Sequence, residues 1–310
     1  MPRTAVCVDI VQDSGAEYRV DTPTRASPWG FTIKSAKEMA TERFPGRVAP
    51  RFIFRMAQSE NLLPFVLGDH RAPLALPALR AADGRWSILD EAEIRRQGFT
   101  QTARRFAAIN QKLKAVGKGK SLQERIDERG KLSKQIFTAD GYLILAGAGG
   151  KIICAACVPL AEAQDVVVDQ TLYWKVVTAA DEAWFQVGVL NSVALTNATL
   201  AFNPKGDFGE RHLHTLPYRM MPAYDATNGD HLKIANLAKG LAALAEGHCT
   251  TDPYLADPAK ALSARRRKLR VLLEESPLLM QLEALAQSAL SGASTALSSG
   301  SGHPAQQPAC

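Results

Sequence analysis

Short β-rich runs and helical stretches alternate along this chain, and this alternation restricts it to a mixed fold. The β-rich runs at residues 5–11, 51–56, 65–67 and 74–79 are separated by turns containing proline or Asp-Gly. From residue 88 to about residue 132 the apolar positions change to helical spacing. We therefore predict an α/β fold of the mixed α+β kind, with a mixed sheet, helices and further helices at the C-terminal end.

Periodicity also predicts which side chains face the core. The predicted core positions are Ile94, Phe106, Ile109 and Leu113 in the first helical region, and Trp184, Val187, Leu190 and Leu195 in a helix over residues 179–200. The polar pair Asn191-Ser192 falls within that second helix, where it is either a helix-packing pair or a DNA contact.

The last sixty residues divide into helical and polar parts. Asp257-Pro258 predicts the start of one helix and Ser276-Pro277 the start of another, whose leucines share one face that covers the domain or docks on a partner. From residue 291 the Ser, Gly, Ala, Gln and Pro content predicts a disordered tail. We expect a domain over residues 1–250, a helical segment over 251–290 and a tail over 291–310.

Cysteine spacing and hydropathy bound the setting of the protein. The five cysteines are an odd number scattered through 310 residues, which favours reduced thiols over a disulfide framework. Cys154 and Cys157 have zinc-like spacing, but no second cysteine pair completes four ligands, so we expect no metal site, although His212 and His214 are possible further ligands. No apolar run is long enough to span a membrane, and we predict a cytoplasmic protein.

Basic residues are concentrated in one segment. Residues 95–134 contain twelve Lys and Arg against three acids, a local net charge of +9 in a chain whose total is +6. Such an excess is typical of a polyanion-binding surface, and the alternative is a solvated helical face. The sequence therefore predicts contact with nucleic acid.

Two glycine clusters resemble nucleotide-binding loops only in part. Gly147-Ala148-Gly149-Gly150 follows an apolar run but leads into a β-branched run, which predicts a hairpin instead of a phosphate-binding loop before a helix. Gly117-Lys118-Gly119-Lys120-Ser121 lacks the first glycine of a Walker A loop and is interpreted as a flexible basic loop. We expect no cofactor in this chain.

One family resemblance extends over residues 50–245. It is carried by Glu210-Arg211-His212-Leu213-His214-Thr215-Leu216-Pro217, by the preceding residues 202–209 and by residues 181–192. Further matches are residues 59–65, 130–135, 168–174 and 231–238. These stretches resemble the C-terminal target-recognition region of large adenine-specific DNA methyltransferases of type IIG restriction-modification and phage-defence systems.

The resemblance lacks the catalytic part of that family. Amino-methyltransferases hold the flipped base with Asn or Asp followed by Pro-Pro and an aromatic residue, and no such tetrapeptide occurs here. Asn203-Pro204-Lys205-Gly206 is the nearest string and predicts a turn. The resemblance therefore implies a DNA-specificity module without its own methyl transfer, working with a separate methyltransferase that binds S-adenosylmethionine.

The predicted contacts to double-stranded DNA fall into two groups. The candidates for DNA recognition are Lys131, Lys134, Gln135, Lys205, Arg211, His212 and His214. The candidates for phosphate contact are Arg104, Arg105, Lys112, Lys114, Lys118 and Lys120. Arg211 has a structural alternative, an internal salt bridge with Glu210 or Asp207.

Two other functions were weighed against DNA recognition. A nuclease of the common restriction fold needs an acid two residues before a lysine to bind Mg²⁺, and no lysine of this chain has one. We predict no catalytic residues for this chain. The remaining alternative is a non-catalytic protein-interaction subunit of a defence complex, whose basic surface binds an acidic partner.

Overall fold

The computed structural model describes residues 6–13, 15–23, 43–69, 71–116, 119–148, 152–200, 202, 205–206, 209–210 and 216–298. Helices and several small sheets are mixed through these residues, which confirms the predicted mixed α/β class. Within the described ranges, no helix is both long and apolar enough to cross a membrane.

The elements are numbered in chain order. The strands are β1 (Asp9–Asp13), β2 (Tyr18–Asp21), β3 (Gly46–Val48), β4 (Ile53–Ala57), β5 (Leu62–Leu63), β6 (Val66–Leu67), β7 (Ala72–Ala75), β8 (Ala78–Arg80), β9 (Trp86–Ile88), β10 (Tyr142–Gly147), β11 (Ala155–Pro159), β12 (Val166–Val168), β13 (Leu172–Val177), β14 (Lys205–Gly206) and β15 (Gly209–Glu210). The helices are α1 (Glu91–Arg96), α2 (Thr100–Val116), α3 (Leu122–Ile126), α4 (Ala180–Asn191), α5 (Val193–Leu200), α6 (Leu216–Met220), α7 (Gly229–Thr251), α8 (Pro253–Ala256), α9 (Leu262–Glu274) and α10 (Pro277–Ser298).

The chain forms two compact units, each assembled from separated stretches. Unit 1 comprises Met1–Ala57, His70–Ala139 and Ala163–Asp169, and unit 2 comprises Gln58–Asp69, Asp140–Glu162 and Gln170–Cys310. The predicted boundary near residue 250 does not coincide with a boundary between these units, because residues on both sides of it share the core of unit 2.

Unit 1 is organised around strand β4. It pairs in parallel with β12 and antiparallel with β7, while β1, β2 and β3 form an antiparallel sheet. The buried core includes Phe52, which packs edge-on against Phe99 and Phe106 at ring centroid distances of 5.3 and 6.4 Å. All four predicted core positions of the first helical region are fully or nearly fully buried, which confirms that prediction: Ile94, Phe106, Ile109 and Leu113.

Two capping boxes define where the helices of unit 1 begin. The Asp90 carboxylate accepts from the Glu93 backbone N–H at 2.7 Å, and the Glu93 carboxylate accepts from the Asp90 N–H at 2.7 Å. Ser121 and Glu124 form the same reciprocal pair at the start of α3. Each box satisfies backbone donors that the first turn of a helix leaves without partners.

The sheet of unit 2 has β10 at its centre. β10 pairs antiparallel with β11 on one side and β13 on the other. The pairing of β10 with β11 confirms the hairpin predicted for the first glycine cluster, although residues 149–151 of its connection lie outside the described ranges. Strands β12 and β13 follow each other in the sequence, but β12 belongs to unit 1 and β13 to unit 2.

The helix predicted over residues 179–200 is interrupted at Ser192. Asn191 lies fully buried, where its side-chain amide donates to the Ala155 carbonyl at 2.8 Å and its side-chain oxygen accepts from the Ala155 N–H at 3.2 Å. The Ser192 hydroxyl donates to the Val189 carbonyl at 2.7 Å and accepts from the Leu195 N–H at 3.1 Å. Asn191 therefore fixes the end of α4 to β11, and Ser192 ends α4 and begins α5, so the polar pair is the helix-packing alternative.

The C-terminal helices begin at different residues from some of those predicted. Asp252 caps α8 by accepting from the Tyr254 N–H at 2.9 Å, with Pro253 in the first turn. The predicted helix start at Asp257-Pro258 is wrong, because Asp257 accepts from the Ala259 N–H at 2.8 Å in a turn and α9 begins only at Leu262. The helix predicted at Ser276-Pro277 is present as α10.

The leucine face of α10 packs on its own unit. Leu279, Leu282 and Leu290 are buried in the core of unit 2, and Leu278 and Leu285 pack against it half-buried. α10 extends to Ser298, past residue 291 where composition predicts a disordered tail, and residues 299–310 lie outside the described ranges.

Candidate nucleic-acid interface

The basic segment lies wholly within unit 1. Unit 1 has 24 Lys and Arg against 15 Asp and Glu, whereas unit 2 has 13 against 16. The charge asymmetry of the sequence therefore coincides with a structural unit. Eight cations of the segment are exposed: Arg95, Arg96, Arg104, Lys114, Lys120, Arg129, Lys131 and Lys134.

Helix α2 presents part of this charge because of its periodicity. Its buried positions include Ala103, Phe106 and Ile109, which recur every three residues and face the core of unit 1. Arg104 and Lys114 fall outside this stripe and are exposed, while Lys112 at the edge of the stripe is half-buried. The helix thus exposes Arg104 and Lys114 because its apolar residues fix the opposite side, whereas Arg105 is buried.

The three acids of the basic segment are held by local bonds. The Glu124 carboxylate accepts from the Ser121 N–H and hydroxyl, Glu128 accepts from the Lys120 ammonium at 2.8 Å, and Asp127 accepts from two backbone N–H groups. Glu128 and Asp127 thus take part in the local structure of the segment.

Hydrogen bonding lowers the pKa of two of these acids. Bonds from the backbone and side chain of Ser121 are the largest cause for Glu124, and the bond from Lys120 is the largest cause for Glu128. Both groups therefore stay ionised at neutral pH. Lys120 and Glu128 are both about half exposed, so their ion pair is screened by salt.

A tight turn follows α3 and carries three of the exposed cations. Arg129 and Gly130 have positive φ angles of 62° and 72°, which reverse the chain directly after Asp127. The Asp127 carboxylate accepts from the Leu132 N–H at 2.9 Å and the Ser133 N–H at 2.8 Å. We call residues 127–135 the basic turn, because Arg129, Lys131 and Lys134 point from it into solvent-exposed positions.

Gln135 closes the basic turn from inside the protein. It is 3% exposed, and its side-chain amide donates to the Lys131 and Val168 carbonyls, both at 2.8 Å. Its side-chain oxygen accepts from the Val168 N–H at 2.8 Å. The predicted DNA contact at Gln135 is therefore corrected, since its side chain is buried and both amide hydrogens are donated within unit 1.

The phosphate contact predicted at Arg105 is also corrected. The residue is 4% exposed, and its Nε donates to the Phe44 carbonyl at 3.1 Å. Burial lowers the pKa of Arg105 to about 10, and the charge of Asp21 opposes that shift. A guanidinium enclosed in this way packs inside unit 1, where DNA does not reach it.

Three arginines of α9 serve the interior of unit 2. Arg265 donates to the Leu255 carbonyl at 2.9 Å, and Arg266 donates to the carbonyls of Leu62 and Ser59 at 3.0 Å. Arg270 donates to the Asn191 carbonyl at 2.7 Å. Although this run is the densest basic string in the sequence, these three arginines bind backbone carbonyls within unit 2.

No protein-family model and no curated protein matches this chain. Among solved structures, the chain is similar to the type IIL restriction-modification enzyme MmeI in complex with DNA, at 14% sequence identity and a TM-score of 0.44. The match covers 79% of this chain and 31% of that chain, so this chain corresponds to only part of that enzyme's length. The relation is a distant structural similarity to a restriction-modification enzyme.

Several predicted contacts fall where the structure gives no side chain. Lys118, Arg211, His212 and His214 lie outside the described residues. Lys205 is described in its backbone alone, where it pairs with Glu210 in the two-stranded ribbon of β14 and β15. These residues remain predictions.

Three further features of the site are metal ligation, the pKa values of two cysteines and the exposed cations that are absent from the predicted contacts. Among the described residues, no group of three or more His, Cys, Asp or Glu is placed to hold a metal ion. Burial raises the pKa of Cys154, and it raises that of Cys157 to about 12. The exposed cations Arg95, Arg96 and Arg129 are absent from the predicted contacts. For Arg129, the adjacent Gly130 in so basic a segment signals a tight turn that exposes its neighbours.

Proposed function

We propose that this chain is a DNA-binding target-recognition module that supplies sequence specificity to a separate adenine DNA methyltransferase in a restriction-modification or phage-defence system. The observation that carries the proposal is the concentration of exposed cations in unit 1, next to acids that are held by local bonds. Such a surface attracts the phosphates of duplex DNA without regard to sequence.

The proposed phosphate contacts are Arg104, Lys112, Lys114, Lys118 and Lys120 from the predicted set, together with Arg129, Lys131 and Lys134 of the basic turn. Among them Lys112 is half-buried, Lys118 lies outside the described residues, and the other six are exposed. Gln135 and Arg105 are left out because they are buried. These contacts would set the position of the protein on the duplex, and base contacts would have to supply the specificity.

Base recognition is assigned by the family resemblance. The residues assigned in this way are Lys205, Arg211, His212 and His214. Among them, the guanidinium of Arg211 can donate two hydrogen bonds to guanine. The partner methyltransferase would bind S-adenosylmethionine and carry out methyl transfer, and both proteins would meet DNA in the cytoplasm.

Selection from a pool of random duplexes tests the recognition function. A target-recognition module should enrich one sequence over several rounds, because each correct base pair adds about 1–3 kcal/mol of discrimination. A pool that stays random while total binding is retained would reduce the function to nonspecific DNA binding. Co-purification with a methyltransferase from the same organism tests the partner.

A groove in unit 2 favours the alternative of a protein-interaction subunit. It has a volume of about 370 Å³ and is lined by residues that include Val193, Leu279, Met280, Glu283 and Gln287. Met280, one of the lining residues, is 71% exposed, so the rim of the groove offers an apolar contact. If the chain captures a protein partner but does not bind duplex DNA at low salt, this alternative replaces the proposed function.

Arg211→Ala should separate base recognition from a structural role. If Arg211 contacts a guanine, the variant should lose about 1–3 kcal/mol of binding to the selected duplex and almost nothing on random DNA. Its melting temperature should equal that of the wild type. A lowered melting temperature with unchanged specificity would instead assign Arg211 to an internal salt bridge with Glu210 or Asp207.

A further inference from the structure

The side chains of Asp127 and Gln135 hold the two ends of the basic turn in place. At its start, Asp127 binds the backbone N–H groups of Leu132 and Ser133. At its end, the Gln135 side chain binds both the N–H and the carbonyl of Val168 in strand β12, as a neighbouring strand would. The Gln135 carbonyl also accepts from the Trp86 indole N–H at 3.0 Å.

We propose that the basic turn is a preorganised phosphate-binding element, and that Asp127 and Gln135 are the residues that position it. The proposal rests on the proposed binding of duplex DNA and adds which residues fix the contact geometry. Arg129, Lys131 and Lys134 touch phosphates, whereas Asp127 and Gln135 act through the backbone that carries those three cations.

The backbone of the basic turn needs this support. Arg129 adopts a positive φ of 62°, a conformation that residues other than glycine rarely take. The neighbouring Gly130 has no room for a side chain without displacing the Lys134 stem, whose Cε lies 3.1 Å from the place of a Cβ. Without the Asp127 bonds, the N–H groups of Leu132 and Ser133 lose their partners and other backbone conformations become accessible.

Preorganisation matters because long cationic side chains lose freedom on binding. A backbone already fixed in its bound form removes one part of that entropic cost. Leu132 and Phe137 are fully buried on either side of the exposed Lys134 and Ile136, so the turn cannot rotate as a whole. The backbone positions of the three cations are therefore fixed, and only their side chains move.

The salt dependence of duplex binding measures the number of phosphates contacted. We compare Asp127→Ala with Asp127→Asn, because both remove the same charge and only asparagine keeps an oxygen that accepts from the two N–H groups. Asp127→Asn should keep the wild-type slope of log affinity against log salt. Asp127→Ala should lose about two to three from that slope, which makes the fall between 50 and 200 mM salt roughly 16 to 64 times smaller.

Gln135→Met provides the second test, with Gln101→Met as a matched control. Gln101 is exposed on α2, so its variant should bind as the wild type does. Gln135→Met keeps the side-chain length but loses the bonds to Val168, and its slope should fall toward that of the triple variant Arg129→Ala, Lys131→Ala, Lys134→Ala. Adding Gln135→Met to the triple variant should change the slope no further.

Several outcomes overturn the inference. A triple variant with the wild-type slope would show that the turn does not contact phosphates. Lower melting temperatures for Asp127→Ala and Gln135→Met with unchanged slopes, measured well below those temperatures, would assign both residues to stability alone. If Gln135→Met does not fold, the charge-matched Asp127 pair decides the question. A wild-type chain that does not bind duplex DNA would remove the proposed function together with this inference.

Discussion

Binding of duplex DNA by the purified chain is expected to weaken about a thousandfold between 50 and 200 mM salt. This is the loss expected when about six phosphates are neutralised and their counterions are released. The exposed cations of unit 1 are numerous enough for that number of contacts. A fluorescence anisotropy titration at several salt concentrations measures the slope directly.

Single substitutions sharpen this prediction. Arg104→Ala removes an exposed cation of α2 and should lower the slope by about one. Lys239→Ala removes an exposed cation of unit 2 and should leave the slope unchanged. Two results would contradict the assignment of DNA binding to unit 1. One is an affinity that does not change with salt, and the other is an equal change of slope in Arg104→Ala and Lys239→Ala.

The location of the exposed basic surface could be predicted from the sequence, but the structural role of each polar residue in it could not. The basic excess of residues 95–134 is visible in composition, and the helical spacing that exposes Arg104 is visible in periodicity. Gln135 looks equally polar in the sequence, yet it is buried because it binds Val168, 33 residues further along the chain. Local patterns contain no information about such a partner.

The same limit explains the arginines of α9 and the division into units. Arg266 binds carbonyls that lie more than two hundred residues earlier in the chain. Strand β12 pairs in parallel with β4, and Arg55 of β4 forms an ion pair with Asp165, 110 residues away. Helical periodicity and the hairpin were predictable because their partners are close in sequence. Each unit is assembled from separated stretches of sequence, and the pairings between those stretches are visible only in the folded chain.

Gly84→Ala is expected to destabilise the protein by about 2–5 kcal/mol, the sum of a positive-φ cost of about 1–2 and an overpacking cost of about 1–3. Gly84 lies in the turn between β8 and β9 with a φ of +81°, and a Cβ there would be 2.1 Å from the Phe137 carbonyl oxygen. Arg80 stacks on both Trp86 and Phe137, at 4.2 and 4.6 Å from the ring centroids. Displacing Phe137 therefore disturbs this stack and the segment next to the basic turn.

Gly98→Ala is the matched control for that substitution. Gly98 has a similar φ of +90° after α1, but a Cβ there would meet no atom within 4 Å. It should therefore lose only the conformational part, about 1–2 kcal/mol. Urea denaturation of the two variants, followed by tryptophan fluorescence, gives both free energies of unfolding. Equal losses of unfolding free energy would mean that the backbone around Phe137 shifts at no cost. The close approach of Gly84 to the Phe137 carbonyl would then not hold this part of unit 1 in place.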